Sequence, residues 1–225
     1  MKNVDKLEIR KLEGNEIAEV EEFVTFKIII VGNSGVGKSS LLKRAVQDKF
    51  KENYQTTIGF EFLLLYYDVN GTKMKLQIWD TCGQEMYRSL IQGFYRNTSL
   101  TVLVYAINER RSFEELDLWL KDIRNSTETE QPIILVGNKS DLEKELRQVK
   151  EEEGKEFVKM NKLEYFTESS AKSGYQVEEI FMKAVEYLYK ENIIKKKMRM
   201  KKMKLDANNG GDLDNLTVKK KKKCC

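Results

Sequence analysis

Histidine is absent from the 225-residue chain. That absence removes imidazole general-base catalysis, Ser-His-Asp triads and most zinc sites, so any chemistry falls to carboxylates, amides, backbone donors or a hard metal ion. Long apolar runs are missing too. The richest stretches, such as Phe26 to Val31, fall far short of the roughly 20 residues a membrane-spanning helix needs. Cysteine is sparse, with Cys82 alone in mid-chain and Cys224 and Cys225 adjacent at the other extreme, which shows no disulfide framework and fits a reducing compartment. Residues 1–24 carry seven acidic and four basic side chains and no continuous apolar segment, so they do not read as a secretory signal. The expectation there is a mobile extension with one amphipathic turn between Leu7 and Ile17.

What is present is unevenly distributed. Residues 195–225 hold twelve basic side chains against Asp206, Asp212 and Asp214, so a mildly acidic body carries a strongly basic tail. Between them the pattern is that of one globular domain at about 25–190, preceded by the 1–24 extension and followed by a basic tail at 191–225.

Within the domain, Phe26 to Val31 reads as a buried strand, followed by a glycine-rich loop and a helix with Leu41, Leu42, Ala45 and Val46 on one side. Phe60 to Val69 and Lys73 to Asp80 flank Asn70-Gly71 and read as an antiparallel hairpin. Alternation in its second strand puts Trp79 on the face of Lys73, Lys75 and Gln77, away from Met74, Leu76 and Ile78. Further strands are expected at 100–106, 133–136 and 164–167, and helices over 151–160 and along the stripe Val177, Ile180, Phe181, Ala184 and Leu188. Ser112 and Glu115 read as a capping box opening another helix. The expected fold is α/β: a three-layer sandwich around a six-stranded, mostly parallel sheet with one antiparallel hairpin strand, its ligand at the carboxyl ends of the strands.

The loop after the first strand, Gly32-Asn33-Ser34-Gly35-Val36-Gly37-Lys38-Ser39, matches the phosphate-binding pattern G-x-x-x-x-G-K-[ST] in the context that pattern requires, between a strand and a helix. Backbone N–H groups of Asn33 to Ser40 face phosphate oxygens in such a loop, Lys38 reaches the β- and γ-phosphates, and the Ser39 hydroxyl ligates Mg²⁺. Asp80 ends a strand and is placed to hold the same ion through a water. In Thr81-Cys82-Gly83-Gln84-Glu85, Gly83 is a candidate N–H donor to the γ-phosphate and Gln84 a candidate orienter of attacking water. Asn138-Lys139-Ser140-Asp141 follows another strand, and the Asp141 carboxylate can accept from the N1–H and N2–H₂ edge of guanine, a donor pair that adenine lacks. Ser170-Ala171-Lys172 follows the short strand, where the Ala171 N–H could meet guanine O6.

With these four motifs in order, residues from about Phe26 to Lys190 resemble the Ras superfamily of small GTPases. The Rab family is indicated by Ser34 in the phosphate loop, Ile58-Gly59-Phe60-Glu61-Phe62 after Thr57, Lys75 to Asp80, and the Cys224-Cys225 pair. The resemblance implies a P-loop G domain and hydrolysis of GTP to GDP and phosphate, slow alone and accelerated by a GAP. It makes Thr57 a Mg²⁺ ligand and γ-phosphate contact, and Phe50 the aromatic stacked on guanine. It makes Phe62, Trp79 and Phe94 an effector-facing triad, and Cys224 and Cys225 geranylgeranylated. Also implied are a guanine-nucleotide exchange factor, effectors, a prenylation escort and a GDI-type chaperone. The protein is expected as a monomer on the cytoplasmic face of an endomembrane (Golgi, endosome or vesicle), cycling with the cytosol and binding no nucleic acid. The alternative is a GTP-bound scaffold with negligible hydrolysis. Asn33 where Asp is usual, Cys82 where Ala is usual, and Phe94 to Thr98 depart from the family pattern.

Overall fold

The computed structural model describes residues 7–50, 60–81, 93–126, 131–142 and 144–209. The chain divides into one unit spanning Met1–Leu188 and a second spanning Tyr189–Cys225. The described residues of the first contain strands β1 (Ile9–Lys11), β2 (Val24–Val31), β3 (Phe60–Val69), β4 (Thr72–Thr81), β5 (Leu100–Ala106), β6 (Ile133–Asn138) and β7 (Tyr165–Glu168). Helices are α1 (Asn15–Ala18), α2 (Lys38–Gln47), α3 (Arg110–Glu114), α4 (Leu116–Ser126), α5 (Glu151–Asn161) and α6 (Val177–Asn209).

One sheet joins all seven strands in the order β1-β3-β4-β2-β5-β6-β7. β2, β4, β5, β6 and β7 pair parallel, while β3 is antiparallel to β4 and to β1. The mostly parallel sheet with one reversed hairpin strand therefore stands, but among the described residues the strand count is seven rather than six. The added strand comes from the segment read as an extension. Ile9, Arg10 and Lys11 pair with Val69, Asp68 and Tyr67 on the outer edge of β3. Leu12, 3% exposed, anchors the segment, and burying a leucine of this kind contributes about 2 kcal/mol. Glu8 and Asn70 extend the ladder reciprocally: Asn70 N–H donates to the Glu8 carbonyl, and Glu8 N–H to Asn70 Oδ1 at 2.9 Å. Lys11 Nζ reaches the Ala45 carbonyl of α2 at 2.9 Å. Three residues amid seven acidic and four basic ones carry too little periodicity to announce a strand. Pairing on an otherwise open edge makes it one.

β5 and β6 are buried along their whole length, as parallel strands covered on both faces must be. On one face Ile29, Val31, Leu103, Tyr105 and Leu135 form a cluster with Leu116, Trp119, Leu120 and Ile123 of α4. α2 carries buried Leu41 and Leu42.

Ser112 does not cap a helix. It is buried inside α3, where its Oγ accepts from Ala106 N–H at 3.0 Å and donates to the Glu109 carbonyl at 2.7 Å, so it staples the helix to the end of β5. The following helix begins only at Leu116. α6 also differs from its expected extent. Among the residues whose burial is described its buried stripe runs to Leu188, but Lys, Met and Arg are good helix formers and no Gly or Pro intervenes before Gly210, so helical backbone persists through Asn209 in the second unit.

Candidate functional site

The carboxyl ends of β2, β6 and β7 deliver three motif loops to one rim, and the end of β4 brings Asp80 to it. At the end of β2, Gly32 has φ +140°, and a Cβ there would lie 2.0 Å from the Val104 carbonyl oxygen of β5, so only glycine lets the chain turn out of the sheet against its neighbour. Gly35 and Gly37 also have positive φ (+79° and +97°), and Gly37 precedes the first residue of α2. The phosphate loop therefore leads straight into a helix N-terminus, where orphan N–H groups and the helix dipole favour an anion. Lys38, 5% exposed, turns back over the loop and donates to the carbonyls of Gly32 and Asn33, both at 2.8 Å. Ser34 is exposed, Val36 buried, and Ser40 half-buried in the first turn of α2.

β4 pairs with β2 so that Asp80 neighbours Ile30, which places its carboxylate beside the first turn of α2. The Ser39 hydroxyl donates to Asp80 Oδ2. Asp80 is fully buried, and its Oδ1 has no hydrogen-bond partner among the described residues. Burial pushes its carboxyl above the usual range, opposed by the Ser39 hydrogen bond and the Lys38 charge. An orphaned, desolvated carboxylate oxygen beside a hydroxyl is an all-oxygen donor set, and it fits a hard divalent cation such as Mg²⁺.

The remaining loops are gathered by Asn138. Its Nδ2 donates to the Val36 carbonyl at 2.8 Å, and its Oδ1 accepts from the Ala171 N–H at 3.2 Å and from Ser169 Oγ at 3.5 Å. One buried amide thus bridges the phosphate loop, the loop after β6 and the loop after β7. Lys139 follows with φ +70°, half-buried, its ammonium lowered from the ordinary value by burial. Asp141 is exposed, and its Oδ1 accepts from Ser170 Oγ at 2.6 Å. Ser170 Oγ also accepts from the Ser173 N–H at 3.0 Å, so the serine orients the carboxylate from a fixed turn. The Ala171 N–H, expected to meet a base, is engaged by Asn138, and Lys172 is exposed beside it.

One contributor had no signature in the motifs. Arg44, on the last turn of α2, donates from Nε to the Ala171 carbonyl at 3.0 Å and from Nη2 to the Lys172 carbonyl at 2.7 Å, tethering the third loop to the helix that begins at the first. Asn33, inside the phosphate-loop motif, engages α4 and the residue before it with its side chain, accepting from Trp119 Nε1 at 2.8 Å and donating to Glu115 Oε2 at 2.8 Å. Phe50 is half-buried just after α2. Thr57, Cys82, Gly83, Gln84, Cys224 and Cys225 lie outside the described residues.

Away from the rim, Phe62, Trp79 and Phe94 form a continuous aromatic row, with centroids 5.1 Å apart for the first pair and 5.4 Å for the second. The alternation expected in β4 holds: Met74, Leu76 and Ile78 are buried while Trp79 is half-exposed on the other face. Lys27 Nζ lies 5.7 Å from the Trp79 centroid and donates to the Phe94 carbonyl at 2.6 Å, which orders one end of the row.

Residues 27–190 match the model of the Ras family. The chain is also 45% identical over 166 residues to the Ras-related protein Rab-2B of Dictyostelium discoideum, an alignment covering 74% of this chain and 81% of that protein.

Proposed function

The chain belongs to the Ras family as a Rab-like small GTPase, and on that premise we propose that it serves as a GTP/GDP-dependent switch recruited to membranes in vesicular traffic. The observation that carries the nucleotide assignment is the buried Asn138 clasp, which joins the phosphate loop to both loops that would read a base. From its hold on the Gly32 and Asn33 carbonyls Lys38 would meet β- and γ-phosphate oxygens, supported by the N-terminus of α2. Ser39 and Asp80, joined by Thr57, would hold Mg²⁺. When bound, that ion supplies neutralisation of charge developing on the phosphate oxygens. Asp141, oriented by Ser170, would select guanine, and Phe50 would stack on it.

Hydrolysis on this reading depends on Gln84 orienting water and on an arginine supplied by a GAP, a contribution of about 10³ to 10⁵ in rate in related GTPases. Single-turnover hydrolysis with and without a GAP tests it, and separates a timed switch from a scaffold with negligible turnover. Gln84→Leu is expected to slow intrinsic hydrolysis about tenfold while leaving GDP affinity within twofold. An unchanged hydrolysis rate would remove Gln84 from the mechanism.

Thr57 and Gly83 would contact the γ-phosphate, so its loss would release the segments that carry them. The aromatic row Phe62-Trp79-Phe94 is the surface on which an effector would sense the change, because half-exposed aromatics, two of them on the paired strands β3 and β4, supply apolar area at little entropic cost. Two lipid chains on Cys224 and Cys225, together with Lys219 to Lys223, would anchor the protein stably where one chain alone gives marginal affinity. A prenylation escort and a GDI-type chaperone would carry the lipidated form through the cytosol. The expected mass of protein isolated from its native source exceeds that of the bare chain by two geranylgeranyl groups. An unmodified carboxyl terminus in intact-mass spectra would refute dual prenylation.

A further inference from the structure

We propose that Asn33 and Glu115 are a matched pair of positioning residues that, with Trp119 and Arg111, set how fast the phosphate loop releases nucleotide. The inference rests on the reading of that loop as the GDP site, and concerns side chains that touch no nucleotide.

Asn33 is 7% exposed, and both ends of its amide are engaged. Oδ1 accepts from Trp119 Nε1 and Nδ2 donates to Glu115 Oε2, each at 2.8 Å. Trp119 is 1% exposed in the cluster beneath α4, so its indole N–H is a fixed donor. Glu115 sits at the junction of α3 and α4, its side chain 18% exposed, and its other oxygen accepts from Arg111 Nε at 2.6 Å. Arg111, with a side chain 69% exposed, carries this hydrogen-bonded chain to the surface. The inner end is the Asn33 backbone, whose carbonyl is one of the two acceptors holding Lys38. A shift of the Asn33 side chain therefore moves an acceptor of the lysine that must engage phosphate.

The amide is the group that fits. Only a side chain offering one acceptor and one donor satisfies an indole N–H and a carboxylate together. An aspartate at 33 would keep the Trp119 bond but would put a carboxylate oxygen against Glu115 Oε2 in a water-poor site, where like charges repel strongly. This accounts for Asn33 standing where the family pattern has Asp: the residue answers Glu115.

The test is a double-mutant cycle on the full chain loaded with a fluorescent GDP analogue in saturating Mg²⁺. Asn33→Asp is expected to accelerate GDP release about tenfold. Glu115→Gln alone is expected to change it less than threefold, because Gln can still accept from Asn33. Asn33→Asp combined with Glu115→Gln is expected to return within threefold of the parent, since the new amide donates to the new carboxylate. Trp119→Phe, which deletes the indole N–H and retains the ring packing, is expected to accelerate release severalfold and gives a reading if Asn33→Asp does not purify. A purely structural role would lower the melting temperature of Asn33→Asp without altering release, and Glu115→Gln would not rescue it. Either unchanged release or absent rescue overturns the proposal. Failure of the parent itself to retain GDP would instead strike the nucleotide reading. In that event the indole ¹⁵N–¹H resonance of Trp119 still reports the pairing: a shift in Asn33→Asp that the double variant reverses supports it, and an unmoved resonance rejects it.

Discussion

Replacing Asp141 with Asn is expected to weaken GDP and GTP binding by about a thousandfold and to turn base preference from guanine towards xanthine. Asp141 is acceptor-only when ionised, and Ser170 Oγ already donates to its Oδ1 at 2.6 Å, which fixes the carboxylate plane. Guanine presents two donors on one edge, N1–H and the exocyclic amine. An amide at 141 keeps one acceptor for the serine or the base and turns an NH₂ towards a donor, so a charge-assisted pair is replaced by one ordinary bond and one donor-donor clash. Sites built to hydrogen-bond a substrate discriminate against the mismatch by up to about 10⁴ to 10⁵. Asp141 is exposed, and competing solvent at its carboxylate holds the expected loss to about a thousandfold. Xanthine carries a carbonyl where guanine carries the amine, and the new NH₂ can donate to it. Competition between GDP and XDP for the variant measures the effect. Retained guanine preference would mean that Asp141 does not meet the base.

The local grammar of the site was legible because it is set by backbone conformation within a few residues. Gly32, Gly35 and Gly37 all need positive φ, and each is a glycine in the motif itself. The Asn70-Gly71 turn likewise dictated its hairpin, with Asn70 at φ +49° and Gly71 at +81°. What could not be read is whatever depends on partners far along the chain. Asn138 meets Val36 across 102 residues and Asn33 meets Trp119 across 86, and a sequence motif names the residue without naming what its side chain holds. β1 illustrates the same limit for a whole element: its strand state is conferred by the open edge of β3. Ser112 failed in the opposite sense. A Ser three residues before a Glu satisfies a local rule, but the end of β5 competed for the hydroxyl and won.

Replacing Asn138 with Ala is expected to speed GDP release at least severalfold, and by about a hundredfold near the middle of the range, because the nucleotide must then assemble a site that the amide assembles beforehand. Asn138 is 2% exposed, and its two principal partners, the Val36 carbonyl and the Ala171 N–H, belong to residues that are themselves buried. Each buried group left unpaired costs about 1–3 kcal/mol. Together they amount to about 2–6 kcal/mol, and one tenfold step in rate corresponds to about 1.4 kcal/mol. Even the lower bound with half expressed in binding gives several-fold, and the loss falls mainly on binding because both partners lie in loops around the nucleotide rather than in strands. Gly37 is matched to this residue, since a Cβ there would lie 2.3 Å from Asn138 Nδ2, so Gly37→Ala should push the same amide aside and produce the same phenotype from the other partner. Asn138→Asp separates the two halves of the clasp. It retains an acceptor for the Ala171 N–H but loses the donor to Val36, where a carboxylate oxygen would oppose a carbonyl. Release as fast as in Asn138→Ala would locate the binding contribution at the phosphate loop, whereas release intermediate between parent and Ala would divide it between the loops. Parent-like release in all three variants would show that the loops are held together without Asn138.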